Sequence, residues 1–199
     1  MRIIATVLIS MATFFVLNAV VPTKAECEIY DSCVRLHILA NSNSEEDQAL
    51  KLKVRDKMFE KISSYELKSK SEALTKIEDE KEELIELAKE VIEENGAEYD
   101  VDIEIGVEKY PTKHYEDFSL PAGKYTSVMV KIGEAEGENW WCVLYPPLCT
   151  QAAMKLDMDA CIDVGLTKDQ YNLITQSNGK YKVKFKILEV AANALGIEY

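Results

Sequence analysis

An apolar segment opens the chain and differs from everything that follows it. Residues 3–21 carry no charge, and small residues at Thr23 and Ala25 stand at the −3 and −1 positions of a cut after residue 25. This layout predicts a secretory signal peptide over residues 1–25, followed by a single domain over residues 26–199. Because the apolar run approaches the length of a membrane span, an uncleaved anchor is the alternative.

A strand and a helix are predicted next to each other after the apolar segment. Residues 34–40 first alternate apolar and polar side chains and then become fully apolar, which is typical of a strand with one buried end. Ser44 is a suitable helix N-cap, since three acidic residues follow it in the first turn. A helix over about residues 44–62 should bury a stripe of apolar side chains, formed by Ala49, Leu52, Phe59 and Ile62.

The middle of the chain combines one long helix with a group of strands. Residues 71–95 keep a helical period up to the stop at Gly96. The period then changes to two, and strands are predicted over residues 101–107, 125–132 and 139–145. Their short spacing favours an antiparallel meander.

Shorter helices are predicted after the strands. Thr167 and Gln170 have capping-box spacing and open a helix to about residue 175. Residues 183–195 are predicted as a final helix, although the alternation at the start of this segment also fits a strand. The pattern as a whole predicts an α+β domain, in which helices pack mainly on one face of an antiparallel or mixed sheet.

Composition narrows the classes of partner. The 199-residue chain is 47% hydrophobic and has a net charge of −12, which is a globular but acidic composition. The acid excess argues against a nucleic-acid binder, because phosphate neutralisation needs clustered Lys and Arg. It also argues against electrostatic docking on anionic lipids. Membrane contact is therefore expected only through the signal peptide or through a receptor.

The sequence carries no recognisable motif for catalysis, a cofactor or a metal. The sequence has no nucleophile elbow, phosphate loop, dinucleotide fingerprint or zinc-protease motif. The spacing of Asp157, Asp159 and Asp163 does not fit a calcium loop. We therefore predict no catalytic residue, no cofactor and no metal site. His37 is expected to be a buried, hydrogen-bonded core histidine. The alternative from another class is an exported hydrolase or wall-modifying enzyme that uses His37 and nearby acids.

Five cysteines follow the apolar segment: Cys27, Cys33, Cys142, Cys149 and Cys161. The Pro146-Pro147 pair can bend the chain so that Cys149 returns towards Cys142, and a disulfide there is predicted. In the chain-entropy model this bridge would contribute roughly 2–3 kcal/mol. Cys27 and Cys33 could form a second bridge, which would leave one free thiol.

Two long motifs resemble the signatures of a known family. Residues 35–56 read RLHILANSNSEEDQALKLKVRD, and residues 133–149 read GEAEGENWWCVLYPPLC. Both resemble the stage II sporulation protein R family, and they occur in that family's order behind an export segment. The resemblance implies a protein made in the forespore and exported into the intermembrane space between forespore and mother cell. It also implies a signal, not an enzyme, that activates a membrane-embedded aspartic protease, the sigma factor E processing peptidase.

The candidate partner-binding residues are predicted from the density of polar and aromatic side chains in these two motifs. In the first motif they are Arg35, His37, Asn41, Asp47, Gln48, Lys51, Arg55 and Asp56. In the second they are Glu134, Glu138, Asn139, Trp140 and Trp141. We expect the two motifs to lie together as a receptor-facing patch. The alternatives are an internal polar network that satisfies its own hydrogen bonds, and a secreted structural or adhesive module.

Overall fold

The computed structural model describes residues 2–20, 24–115, 118–148, 158–163 and 165–175. Its helices are α1 (Arg2–Val20), α2 (Lys24–Ser32), α3 (Glu45–Ser63), α4 (Lys70–Asp79), α5 (Lys81–Glu94), α6 (Met158–Asp163) and α7 (Lys168–Thr175). Its strands are β1 (Val34–Leu39), β2 (Val101–Tyr110), β3 (Lys113–His114), β4 (Ser119–Leu120), β5 (Gly123–Ile132) and β6 (Asn139–Tyr145). The predicted final helix over residues 183–195 lies outside the described residues.

Helix α1 covers most of the predicted signal peptide. Its described side chains, residues 3–13, are exposed, and most of them are apolar. Within the part of the chain that the structure describes, no helix is both long enough and apolar enough to cross a membrane.

The main sheet is mixed, with the strand order β2-β5-β1-β6. Strand β1 runs parallel to β5 and antiparallel to β6, whereas β2 and β5 are antiparallel. The predicted meander is therefore wrong, because β1 separates β5 from β6. Residues 34–38 of β1 are all buried, as expected for a strand that has a neighbour on each side and a core on each face.

Three helices form a layer on one face of the sheet. Helices α3, α4 and α5 bury apolar side chains against Leu36, Ile38 and Val130 in the larger core. The predicted buried stripe of α3 is only partly correct, since Ala49 and Leu52 are exposed. The side that faces the core carries Asp47, Leu50, Lys51, Val54, Met58 and Ile62. The prediction assumed that the core side of α3 is apolar, and it missed this side because two of its residues, Asp47 and Lys51, are charged.

The predicted helix over residues 71–95 is two helices that meet at Glu80. Glu80 leaves helical geometry at φ −103° and ψ 15°. Its carboxylate accepts a hydrogen bond from the Tyr65 hydroxyl and forms an ion pair with Lys76. These contacts tie the junction to the segment between α3 and α4.

The opposite face of the sheet carries a second, more aromatic core. Helices α2 and α7 cover part of it, with Ile29, Tyr125, Val143 and Leu173 among the buried side chains. The α+β prediction with a mixed sheet is confirmed, and the larger helical layer lies on one face. The predicted capping box of α7 is also present, because the Gln170 amide donates to Thr167 Oγ1 at 3.2 Å and the Thr167 amide donates to Gln170 Oε1 at 2.8 Å.

The cysteines differ from the predicted pairing. Cys142 is disulfide-bonded, and its predicted partner Cys149 lies outside the described residues. Cys27 and Cys33 are both free thiols, so a bridge between them is not formed. Cys27 lies within α2 and Cys33 directly follows it, and six residues of helix rise about 9 Å, beyond the reach of a disulfide. Burial raises the pKa of the Cys33 thiol to about 11.

Candidate functional site

The two sequence motifs meet where β1 leads into α3. The chain over residues 40–44 lies against the turn over residues 133–138, and backbone hydrogen bonds join them. The Gly137 amide donates to the Ala40 carbonyl at 2.9 Å, and the Glu136 amide donates to the Asn41 carbonyl at 3.2 Å. We call this junction, together with the first two turns of α3, the strand–helix corner. The two motifs therefore lie together, as expected, and that they face a receptor stays a prediction.

Two asparagine side chains hold the turn as well. Asn41 Oδ1 accepts a hydrogen bond from the Glu134 amide at 3.0 Å, and Asn43 Oδ1 accepts one from the Glu138 amide at 2.7 Å. Side-chain amide oxygens are suited to this task, since they accept from backbone groups that have no strand partner. The turn is thus hydrogen-bonded along most of its length to the loop before α3.

Glycine is required in the turn because the two segments approach closely. A Cβ atom on Gly137 would lie 2.2 Å from the Ser42 carbonyl oxygen, which is backbone and cannot rotate away. Gly133 has a φ of +56°, and a Cβ there would lie 2.3 Å from Asn41 Oδ1. At Gly137 a larger residue is excluded because a Cβ atom has no space. At Gly133 the positive φ excludes larger residues as well.

Asp47 is the anion at the centre of the corner. Its Oδ2 accepts hydrogen bonds from Asn41 Nδ2 at 2.9 Å and from Ser42 Oγ at 2.6 Å. Its amide donates to Oγ of the N-cap residue Ser44 at 3.1 Å, so Asp47 also stabilises the start of α3. The hydrogen bond from Ser42, and to a lesser extent that from Asn41, lowers the pKa of Asp47 from its ordinary value.

Lys51 joins the first turns of α3 to the end of the turn. Its Nζ donates to Gln48 Oε1 and to the Glu138 carbonyl, both at 2.6 Å. Gln48 Nε2 in turn donates to the Ser42 carbonyl at 2.9 Å. Lys51 is buried, and this burial lowers its pKa from the ordinary lysine value. Its ammonium group is therefore used internally and is not presented to solvent.

Arg35 lies fully buried on the aromatic face of the sheet. Its Nε donates to the Cys142 carbonyl at 2.8 Å, and Nη2 donates to the Tyr115 hydroxyl at 2.9 Å. The guanidinium carbon lies 4.2 Å from the centre of the Tyr110 ring. Burial raises the pKa of Tyr110 and of Tyr125, so both rings stay neutral. Arg35 is thus stabilised by carbonyl and ring contacts, which hold β1 to β6.

His37 lies on the same face of β1, two residues after Arg35. Its Nδ1 is 3.1 Å from Glu108 Oε1, and its Nε2 is 2.6 Å from Asn139 Oδ1. The Trp141 ring centre lies 5.8 Å from that of His37. Within the described chain no hydrogen bond joins His37 to a hydroxyl or a thiol. The imidazole therefore connects three strands, with Glu108 on β2 and Asn139 on β6.

The two tryptophans lie on opposite faces of β6, as their adjacent positions on a strand require. Trp141 packs on the aromatic face, where Lys113 Nζ lies 4.8 Å from its ring centre. Trp140 packs on the helical side, with Arg55 at 5.1 Å and the Phe59 ring at 5.6 Å. Trp140 is half-buried, so part of its ring reaches solvent.

The candidate residues separate into an internal and an external set. The internal set makes its hydrogen bonds within the protein, except that the buried Nη1 of Arg35 has no partner among the described residues. It consists of Arg35, His37, Asn41, Asp47, Gln48 and Lys51. The external set is exposed or half-buried around the same corner, and we call it the outer rim: Arg55, Asp56, Glu134, Glu138, Asn139 and Trp140. Trp141 belongs to the aromatic face. The side chains of the rim reach solvent, and the internal set supports them.

Sequence reasoning missed several residues around Arg35 and His37. They are Glu108, Tyr110, Tyr115, Tyr125 and Ser127, which come from β2, β5 and the loop between them. The alternation of β2 does place Glu108 on its polar side. Its contact with His37 depends on the strand order, which the sequence pattern did not reveal. Among the described residues, no group of three or more His, Cys, Asp and Glu side chains is arranged to hold a metal ion.

Comparison with known proteins agrees with the two motifs. Residues 30–155 match the family Stage II sporulation protein R, and this match covers more than half of the chain. The chain therefore belongs to the stage II sporulation protein R family, which confirms the resemblance. It is 39% identical over 123 residues to the Stage II sporulation protein R of Bacillus subtilis (strain 168), covering 61% of this chain and 55% of that protein. The chain thus spans about half the length of this curated relative. No solved structure matches.

The close approach at Gly137 predicts a large loss of stability for Gly137→Ala. The new Cβ would collide with the Ser42 carbonyl oxygen, and separating the two segments should cost about 2–4 kcal/mol. Gly106→Ala is the matched control, because a Cβ on Gly106 meets nothing within 4 Å. Urea unfolding of both variants checks this. Equal stability of the two variants would contradict the close approach.

The carboxylate of Asp47 is expected to contribute to the free energy of unfolding in a pH-dependent way. Its folded-state pKa is lowered, so its contribution is complete above the unfolded value of about 4 and is lost as pH falls through the folded value. At pH 7 Asp47→Asn should therefore cost about 1–3 kcal/mol, and the difference from the natural chain should shrink below pH 4. Asp79→Asn, an exposed change at the end of α4, should stay within about 0.5 kcal/mol. Unfolding at pH 3 and pH 7 measures both, and a constant Asp47→Asn penalty would refute the prediction.

Proposed function

We propose that this chain is an exported signalling protein of endospore formation that activates a membrane-embedded aspartic protease, the sigma factor E processing peptidase. The activated protease would remove the pro-segment of the mother-cell sigma factor E. The observation that carries the proposal is family membership, because the matched residues 30–155 contain the whole strand–helix corner and the outer rim.

The proposed site of action is the intermembrane space between forespore and mother cell. The pattern of residues 1–25 supports export, since an uncharged apolar run ends in a small-residue cleavage site. The exposed apolar side chains of α1 suit a segment that an export system binds. The domain over residues 26–199 would then act outside the cytoplasm of either cell.

A signalling role is proposed in preference to catalysis. An exported hydrolase would use His37 and Glu108 as its acid–base pair. In this chain Nδ1 of His37 faces Glu108, and Nε2 faces Asn139 Oδ1. Both nitrogens thus contact side chains of other strands, Glu108 on β2 and Asn139 on β6. This arrangement supports a structural task for the imidazole, which positions Asn139 at the rim.

The outer rim is the proposed contact surface for the protease. Trp and Arg are favoured anchors at protein interfaces, and Trp140 and Arg55 lie together there at 5.1 Å. Asp56, which is ion-paired with Arg55 at 2.6 Å, extends the surface with a charged group. The internal hydrogen bonds of the corner hold these side chains on rigid elements, which lowers the entropic cost of binding.

Reconstitution in a host that does not sporulate tests the proposed function. This chain, the membrane protease and the sigma factor pro-form are produced together, and cleavage of the pro-form is followed by gel. We expect cleavage only when the chain is present with residues 1–25. Absence of cleavage with an exported and folded chain would overturn the proposal. Turnover of a cell-wall substrate with a bell-shaped pH profile would favour the hydrolase instead.

Substitution of a residue in the outer rim should lower activity and leave stability almost unchanged. Arg55→Ala should lower pro-form cleavage about tenfold or more, as expected for an interface anchor. Its unfolding free energy should change by less than about 1 kcal/mol, because its partner Asp56 is solvent-exposed and such ion pairs contribute little to stability. Lys57→Ala is the matched control, since it removes an exposed ion pair of the same helix outside the rim. Activity that falls only in proportion to stability would show that the rim does not contact the partner.

Trp140 offers a second test of the rim. Trp140→Phe keeps an aromatic ring against Phe59, whereas Trp140→Ala removes it. We expect the Phe variant to retain most of the stability and to lose part of the cleavage, and the Ala variant to lose most of both. Thermal unfolding and the cleavage assay together check this order. Full cleavage by the Ala variant would exclude Trp140 from the contact.

A further inference from the structure

A part of the sheet that the helical layer leaves uncovered lies at the end of β2 and the start of β5. Strand β2 turns alternate side chains towards α3, α4 and α5, and Ile103 is fully buried there. Val107 lies on the same side of the strand, four residues further on, and is 70% exposed. Outside α1, this is the most exposed large apolar side chain among the described residues.

Two lysines lie directly opposite each other beside Val107. In the register of β2 and β5, Lys109 pairs with Lys124. Side chains at such positions have Cβ atoms about 5 Å apart, and like charges there destabilise the sheet. Both lysines are exposed, and neither takes part in an ion pair or a side-chain hydrogen bond of the described chain.

The lysine pair is unusual in this protein. The chain has 35 acidic and 23 basic residues, so an acidic residue opposite a lysine would be the ordinary arrangement. Lys131 on the same strand pair follows that arrangement, with Glu104 at 2.7 Å. A pair of residues that lowers the stability of the fold without a structural benefit is typical of a functional position.

We propose that Val107, Lys109 and Lys124, here called the lysine patch, form a second docking site for a protein partner. The partner would present an acidic segment that also carries an apolar side chain. Its carboxylate would lie between the two ammonium groups and relieve their repulsion, and the apolar side chain would cover Val107. The inference rests on the proposed function, since it takes this partner to be the membrane protease and names the chemistry of the protease surface.

A protein segment fits the lysine patch better than a membrane surface. Anionic lipid attracts clusters of four or more basic residues, whereas the patch has two. The chain as a whole has a charge of −12, and a flat anionic surface would repel its acidic parts over a Debye length of about 8 Å. A protein segment can match two lysines and one valine locally without approaching the rest of the surface.

The lysine patch and the outer rim lie at opposite edges of the sheet. Strand β2 is at one end of the order β2-β5-β1-β6, and β6, which carries Asn139 and Trp140, is at the other. A partner that binds both sites would contact the domain at two edges at once. Two contacts fix the orientation of the domain and raise its affinity through effective concentration.

The test uses a substitution that should raise stability and lower activity. Lys124→Glu places an acidic residue opposite Lys109, and this cross-strand pair should raise the Tm by up to about 3 °C. In the cleavage assay the same variant should lose activity about tenfold or more, because the patch no longer carries two positive charges. The double variant Lys109→Glu with Lys124→Glu should return to the natural Tm and lose activity further.

Lys168→Glu is the matched control. It makes the same charge change at an exposed position in the first turn of α7, where an acidic residue is also mildly favourable. It should cleave like the natural chain. If Lys124→Glu cleaves equally well, the lysine patch is not a docking site, although the proposed function stands. If the natural chain itself gives no cleavage, the proposed function fails, and this inference about the same partner fails with it.

An assay with vesicles containing phosphatidylglycerol, without the protease, distinguishes anionic lipid from an acidic protein segment as the partner of the lysine patch. We expect the natural chain lacking residues 1–25 not to bind them in a flotation assay. Binding that Lys124→Glu abolishes would assign the lysine patch to lipid and overturn the protein-docking proposal.

Discussion

The contact between Gly137 and Ser42 is the constraint on which the arrangement of the domain depends. A Cβ on Gly137 would lie 2.2 Å from the Ser42 carbonyl oxygen, so the turn before β6 and the loop after β1 meet backbone to backbone. The Gly137 amide completes the junction with its hydrogen bond to Ala40. This contact fixes the register of β6 on β1, and it places α3 beside Trp140, which contacts Arg55 and Phe59. The outer rim exists because these segments cannot separate.

Strand β1 lies inside the sheet, and its side chains alternate between two chemically different faces. Leu36 and Ile38 point into the apolar core beneath the helices, while Arg35 and His37 point to the aromatic face. The buried cation and the imidazole connect β1 to β6 through Cys142 and Asn139, and to the edge strand β2 through Glu108. Buried polar groups of this kind specify one arrangement, because a shifted register would leave them without partners. Polar residues of the first motif that resemble a binding site are therefore largely its internal support.

Local features of the fold could be predicted from the sequence, and long-range ones could not. The N-cap at Ser44, the capping box at Thr167 and most strand positions follow from short-range chemistry, and they are present. The insertion of β1 between β5 and β6 depends on contacts about 90 to 110 residues apart, which periodicity does not reveal. The core side of α3 was misplaced because Asp47 and Lys51 are buried there, against the general rule for charged residues. For the same reason the site prediction could not separate residues that support the corner from residues on its surface, and it missed Glu108, whose contact with His37 depends on strand order.

Amide hydrogen exchange across residues 133–138 tests the central claim most directly. The amides of Glu134 and Glu138 belong to exposed residues, yet they donate to the side chains of Asn41 and Asn43. The account predicts slow exchange at both positions and at Gly137, and faster exchange at Glu134 in an Asn41→Ala variant. Exchange at the rate of an unstructured loop in the natural chain would show that the two motifs are not joined, and would remove the basis for the outer rim.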